Sequence, residues 1–201
     1  MGKILFIKAN PKPDEHSNTF KLANVFLQEY IKYHPKDEKE ITTLDLYQLG
    51  IRLLDGEMIA AKFSGQHNEV HAYAQQFAAA EKYIIAAPMW NLSIPAILKA
   101  YFDYVVQVGI TFKYTENGPV GLLTDKPRKA VHIVSRGGMY SEGPAAQYEM
   151  GDRYVRTILN FMGIPHVETI KLELADVLQG EALAAAQEKA YYEARDLAKV
   201  F

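Results

Sequence analysis

Three loops of this 201-residue chain carry residue types that could do chemistry together. The first is Asn10–Thr19, NPKPDEHSNT, where Ser17, Asn18 and Thr19 put two hydroxyls and an amide where a helical pattern begins. A helix N-terminus offers free N–H groups and the positive end of its dipole, so such a loop suits a phosphate. The same residue types are ordinary helix caps, and capping alone would account for them. The second is Pro88–Pro95, PMWNLSIP, which holds the only tryptophan and contains no acid, base or thiol. A ring system with its own reactivity needs no protein acid or base. It needs a flat apolar face, as Met89 and Trp90 supply, and amide or backbone groups at its polar edge, as Asn91 and its neighbours supply. Plain packing is the competing explanation for Trp90. The third is Ser135–Tyr140, SRGGMY. Gly137 and Gly138 let backbone approach a ligand closely, and Arg136 suits an anion or a carbonyl, or else a solvated turn.

Together the loops describe a phosphate at the first and a planar ring at the second and third. Flavin mononucleotide (FMN) has that form. The chain lacks both G-x-x-x-x-G-K-[ST] and G-x-G-x-x-G, which argues against a P-loop and a Rossmann dinucleotide site.

The elements that must position these loops can be read from hydrophobic period. Lys3–Ala9 is a short apolar run ended by Asn10-Pro11-Lys12-Pro13, a strand and turn. From Ser17, Leu22, Phe26 and Tyr30 stand four apart, with Ala23, Leu27 and Ile31 beside them, one wide face of a helix that stops at His34-Pro35. Glu40–Leu46 reads as a strand, 47–66 as loop and short helix, Glu69–Ala80 as a helix and 82–87 as a buried strand. Ser93 is expected to cap a helix with Pro95 in its first turn, running to near Gly109. Thr111–Thr115 alternates and Asn117-Gly118 signals a hairpin. Lys129–Ser135 is a strand, Met150–Phe161 a helical face stopped by Gly163 and Pro165, His166–Leu174 a strand and Glu181–Val200 a closing helix. Strands alternating with helices predict a single α/β domain over 1–201. Its expected architecture is a flavodoxin-like, doubly wound five-stranded parallel sheet with helices on both faces and a hairpin insertion near 111–121. Ligands of such sheets bind outside the carboxyl ends of the strands, which is where all three loops fall.

Composition narrows the partners. Hydrophobic residues make up 49% of the chain, enough for one full core, and the net charge is −2, so no nucleic acid or anionic membrane surface is expected to bind. There is no cysteine, hence no disulfide framework, thiol nucleophile or Cys-based metal site. No apolar stretch reaches the roughly 18 residues of a membrane span. MGKILFIKAN reads as a first strand rather than a signal peptide, so a cytoplasmic protein is expected.

The run PMWNLSIPAILKAYFDYVVQVGITFKYTENGPVGLLTDK, followed by SRGGMYSEGP, resembles the FMN-dependent NADH-azoreductase family, within the wider flavodoxin-like NAD(P)H:quinone reductase group. The resemblance covers most of the chain, densest from Ala87 to Pro144 and weakest over 47–80. It implies a homodimer with one FMN per subunit near the subunit interface. It places the family's phosphate triplet on Ser17, Asn18 and Thr19, its ring-binding tetrapeptide on Met89, Trp90, Asn91 and Leu92, and its second ring loop on Ser135, Arg136, Gly137 and Gly138, with Tyr140 beside the ring or substrate. Asn10 and Pro88 complete the expected cofactor-binding set. The last tetrapeptide position is commonly Phe in the family, so Leu92 removes an aromatic wall. The implied activity is reduction of quinones and azo compounds by a ping-pong scheme. NADH or NADPH gives a hydride to the flavin and leaves, and the acceptor then enters the same pocket. No protein acid or base is assigned with certainty; Tyr140 or water is the expected proton source.

Other features weigh less. His67 and His71 stand four apart but lack the glutamate position of H-E-x-x-H and a third ligand, so metal binding is not expected. Asn91-Leu92-Ser93 matches a glycosylation pattern by coincidence, and Lys126, Arg128 and Lys129 read as a solvated turn. The rival functions are an electron carrier, a hydrolase and a flavin-free binding module. A carrier is expected to be smaller and more acidic, and to lack the insert at 109–128, whose Phe112 and Tyr114 suit a substrate pocket. No metal cluster or nucleophile–base pattern supports the hydrolase.

Overall fold

The computed structural model describes residues 2–64 and 68–201; His67, and with it the spaced histidine pair, lies outside them. Five strands, β1 (Lys3–Lys8), β2 (Ile41–Asp45), β3 (Ala80–Ala86), β6 (Lys129–Ser135) and β7 (His166–Leu172), form one parallel sheet in the order β2-β1-β3-β6-β7. This is the doubly wound order of the flavodoxin-like fold, with the strand order reversing between β1 and β3. The central strands are apolar on both faces, and alternate residues supply two cores. Leu5, Ile7, Tyr83 and Ile85 face α3 (Glu69–Ala79), α4 (Ala96–Val105) and α5 (Gly151–Met162). Ile4, Phe6, Ile84 and Val131 face α1 (Asn18–Tyr33) and α6 (Gly180–Val200). The period of two is therefore used twice, and burial on both sides replaces the polar alternation of a half-exposed strand. The ambiguous region after β2 folds as loop followed by α2 (Gly56–Phe63), capped by Asp55.

Three expectations are corrected by the packing. Ser93 does not cap α4: Pro95 occupies that position without a side-chain bond, and Ser93 instead pairs its backbone with Trp90. Arg128 is no solvated turn residue. It is 6% exposed and donates to the carbonyls of Ala80 at 3.0 Å and Ala78 at 2.8 Å, satisfying the end of α3. The hairpin of β4 (Phe112–Thr115) and β5 (Gly118–Gly121) forms as the sequence predicts, but away from the carboxyl ends of the strands. Its Phe112 ring packs at 4.9 Å on Phe161 near the end of α5, so within the chain it walls no strand-end pocket. Gly163 ends α5 at φ +100°, where a Cβ would also meet the Thr124 methyl at 2.9 Å.

Among the described residues, no helix is long and apolar enough to cross a membrane and no three His, Asp or Glu side chains are grouped to hold a metal.

Candidate functional site

Parallel pairing continues a residue past the strands and brings the three loops level. Ala9 N–H donates to Ala86, Ala87 N–H to Ile133, Met89 N–H to Ser135 and Arg136 N–H to Leu172. A cleft of about 140 Å³ opens there, lined by Asn10, Lys12, His16, Ser17, Asn18, Pro88, Met89, Trp90, Ser135, Arg136, Gly137, Ala175 and Asp176. A larger cavity of about 520 Å³ lies at the opposite, amino-terminal ends of β3, β6 and β7. Its cations are already matched: Arg128 as above, Lys82 by Tyr30, and Lys129 by the Val200 carbonyl. The strand-end cleft, which gathers all three loops, is therefore the candidate site.

The first loop combines both explanations open at the sequence level. Ser17 is the cap of α1, its Oγ accepting from Phe20 N–H at 3.1 Å and from Asn10 Nδ2 at 3.0 Å. Thr19 is fully buried and its hydroxyl pairs with that of Ser135 at 2.6 Å, tying the first loop to the third. The backbone N–H groups of Asn18 and Thr19, at the first two helical positions, find no acceptor among the described residues. They are the orphan donors every helix start presents. Lys12 and His16 also line the cleft, and Lys12 pairs with no carboxylate among the described residues.

The second loop is a tight turn. Trp90 and Ser93 exchange both backbone hydrogen bonds, at 2.9 and 3.0 Å, and Asn91 and Leu92 lie between them at φ +47° and +70°. Two consecutive left-handed residues make the primed hairpin turn that Asn-Gly normally occupies. Leucine there is strained by about 1–2 kcal/mol. The turn pushes Trp90 (38% exposed) and Leu92 (40%) outward and leaves the N–H groups of Asn91 and Leu92 without acceptors among the described residues.

The third loop is held from beneath. Arg136 is 4% exposed, and its guanidinium lies 3.2 Å from Glu149 and 3.3 Å from Glu173. Glu173 also accepts from Tyr140 N–H at 2.7 Å and from the Ser141 hydroxyl. Burial would raise the Glu173 carboxyl, but those hydrogen bonds and the Arg136 charge hold it below its ordinary value. The segment after β7 forms a shelf: Leu174, Ala175 and Asp176 donate their N–H groups to Gly138, Arg136 and Gly137. A Cβ on Gly137 would lie 2.4 Å from Asp176 Oδ2, so glycine permits this close approach. Tyr140 packs its ring over Gly138.

The cleft thus gathers Asn10, Ser17, Asn18, Pro88, Met89, Trp90, Ser135, Arg136 and Gly137 of the predicted set. Thr19 lies beneath it through Ser135, while Asn91, Leu92, Gly138 and Tyr140 stand around the same two loops without lining it. Sequence reasoning missed Lys12, His16, Asp176, Glu149 and Glu173. Lys12 and His16 were visible as basic residue types within the first loop. The others belong to segments that only strand order places next to β6.

A doubly wound sheet with a polar helix start, a flat apolar turn and a glycine-bearing loop around one strand-end cleft defines a flavodoxin-like protein. Residues 2–196 match a family model described as a flavodoxin-like fold. The chain is 53% identical over 205 residues, covering both proteins completely, to FMN-dependent NADH:quinone oxidoreductase 2 of Clostridium acetobutylicum. It is 48% identical over 206 residues, again with full coverage, to the FMN-dependent NADH:quinone oxidoreductase of Caldicellulosiruptor saccharolyticus. Among solved structures it is similar to an azoreductase of Bacillus anthracis strain Sterne, with 37% identity, a TM-score of 0.90 and complete coverage of both chains. An FMN-dependent NADH-azoreductase of Bacillus anthracis strain Ames Ancestor, in complex with FMN, gives 29% identity and a TM-score of 0.87 over 100% of this chain and 99% of that one. The chain belongs to the flavodoxin-like fold family and, within it, to the FMN-dependent NADH:quinone oxidoreductases.

Proposed function

We propose that this protein is an FMN-dependent oxidoreductase that takes reducing equivalents from NADH or NADPH and delivers them to quinones and azo compounds. The observation that carries the reading is the strand-end cleft at which a helix start, an apolar turn and a glycine loop converge. The residues fit the cofactor. The orphan N–H groups of Asn18 and Thr19, with Lys12 and His16, suit its phosphate. Asn10, Ser17 and the Thr19–Ser135 pair fix the loop that presents them. Pro88, Met89 and Trp90 offer a flat apolar surface. The N–H groups of Asn91, Leu92, Gly137 and Gly138, without acceptors among the described residues, suit the polar edge of a ring.

Bound FMN supplies the group that accepts and releases a hydride. The chain's own part is to bind, orient and donate hydrogen bonds, which agrees with the lack of any acid or base in the second loop. Backbone N–H groups at the ring edge stabilise negative charge without reorganising. Tyr140, whose ring packs over Gly138, places a phenolic hydroxyl beside these loops. We infer that donor and acceptor use this cleft in turn, a ping-pong scheme. A cleft of about 140 Å³ is smaller than the several hundred Å³ typical of ligand pockets, so the cofactor's outer face needs further cover. Leu92, Tyr148 and Met150 form an exposed apolar rim that a second copy of the chain would bury, which supports a homodimer. Dependence on NADH supports a cytoplasmic location.

The test is a visible absorption spectrum of purified protein with added FMN, followed by NADH without oxygen. Bleaching of the flavin band, and its recovery on adding a quinone, is the expected result. Bound FMN that NADH leaves oxidised would favour the electron carrier. Failure to bind FMN would overturn the reading.

A further inference from the structure

The segment leading into α5 touches both ring-facing loops at once. Met150 N–H donates to the Leu92 carbonyl at 2.9 Å, on the strained turn of the second loop. One residue earlier, Glu149 Oε1 lies 3.2 Å from the Arg136 guanidinium, at the base of the third loop. Glu149 also accepts from the N–H groups of Asp152 at 2.8 Å and Arg153 at 3.2 Å, so the same carboxylate caps the helix and grips the arginine. The helix behind it is anchored in the sheet, Asp152 bonding His132 of β6 at 2.9 Å and Thr169 of β7 at 2.7 Å. On its other side Arg136 meets Glu173, so two carboxylates face one guanidinium and the group is net negative. All three side chains are largely withdrawn from water, at 13%, 4% and 9% exposure, where screening is weak. The Arg136 Nε is buried without a partner among the described residues. The arginine that sequence reasoning offered to an anionic ligand is thus occupied by the protein itself.

We propose that Glu149 is a positioning residue for the flavin site. Through Arg136 and the adjacent Met150 N–H it fixes the separation of the 88–92 turn and the 135–140 loop. Its charge lowers the readiness of the bound flavin to take up electrons. The inference rests on the functional reading above. Among the described residues the Met89–Ser135 backbone bond ties the two loops directly, whereas the segment leading into α5 reaches both through Met150 and Glu149. A negative charge held close to a reduced, anionic ring opposes reduction.

The test replaces Glu149 by glutamine in the full-length protein. Glu149→Gln keeps a cap oxygen and removes the charge. FMN affinity is measured by flavin fluorescence, and the midpoint potential of the bound FMN by equilibration with redox dyes. FMN is expected to bind about tenfold more weakly, the loss of one charge-assisted bond, and the potential to rise. Glu173→Gln is expected to move both readouts in the same direction, and the double variant to fall short of additivity because both act through Arg136. Glu149→Asp, which keeps the charge and shortens the reach, is expected to weaken FMN while leaving the potential near that of the parent. An unchanged potential in Glu149→Gln overturns the proposal whatever happens to affinity, since a purely structural cap would leave the potential alone. If Glu149→Gln does not fold, an unchanged potential in Glu173→Gln overturns it instead. Parent protein that binds no FMN fails the functional reading, and the inference falls with it.

Discussion

Replacing Asp152 by asparagine tests whether α5 is held to the sheet as the structure shows. Asp152 sits in the first turn of α5, where a negative charge also complements the helix dipole. Its carboxylate takes three bonds: from His132 Nδ1 at 2.9 Å, Thr169 Oγ1 at 2.7 Å and Arg156 Nε at 2.7 Å. The three are not equal. Arg156 is 43% exposed, so its pair is worth about 0.5 kcal/mol. His132 is 1% exposed and its Nε2 has no partner, so Asp152 is the one polar group its ring meets among the described residues. A charge-assisted bond in such a place is worth about 1.5–3 kcal/mol. Thr169 adds about 1 kcal/mol. Asparagine keeps one acceptor oxygen and turns an amide toward groups that are themselves donors. Asp152→Asn should therefore cost about 2–3 kcal/mol, a fall in Tm of about 5–10 °C for a domain of this size.

The assay is urea denaturation of parent and variant across pH. Burial would raise the Asp152 carboxyl, but the bonds from His132, Thr169 and Arg156 hold it well below the ordinary aspartate value. A depressed native pKa gives stability that is fully present above the unfolded-state value, about 3.9, and is lost as pH falls through the native value. The gap between parent and variant should thus be constant at neutral pH and start to close only below about pH 4. A gap below about 0.5 kcal/mol at pH 7, or one that closes between pH 5 and 7, would refute the reasoning.

The other predictions concern the cleft. Ser17→Ala should cost about 1 kcal/mol in stability through loss of the cap and leave Asn10 Nδ2 unpaired; paired with Thr19→Ala it should also weaken FMN binding, read by fluorescence titration well below the melting temperature. Unchanged FMN affinity in the double variant would contradict the phosphate placement. Lys12→Gln should weaken FMN binding and flatten its dependence on salt, because an exposed cation acts through a screened charge; a parallel salt dependence in both proteins would exclude Lys12 from the site. Leu92→Phe should change the KM for acceptors severalfold while the rate of flavin bleaching by NADH stays the same in stopped-flow, since Leu92 stands on the rim; equal effects on both half-reactions would sink that assignment.

Much of the fold could be read from period and punctuation. β6 was delimited by its residues, Lys129–Ser135, and α1 was announced by Ser17 and stopped before Pro35, because capping and proline geometry act within a few residues of chain. The loops of the site were also legible, since a helix start, a lone tryptophan beside prolines and paired glycines are local signals. Ser93 was misread for the converse reason. Its position before Pro95 looked like a cap, but two left-handed residues at Asn91 and Leu92 folded it back onto Trp90, a conformation with no glycine to announce it.

The elements, and the kind of group each loop can receive, are local properties that follow from neighbours along the chain. Which loops meet, and which side chains are already engaged inside the protein, follow from how the strands are ordered and packed. Strand order β2-β1-β3-β6-β7 sets residues far apart in sequence side by side, which is how Glu149, Glu173 and Asp176 reached the site unannounced. Burial then decided between two uses of one residue. Arg136 looked free in the sequence, but an unpaired guanidinium withdrawn from water is too costly, and the fold supplied it with two carboxylates.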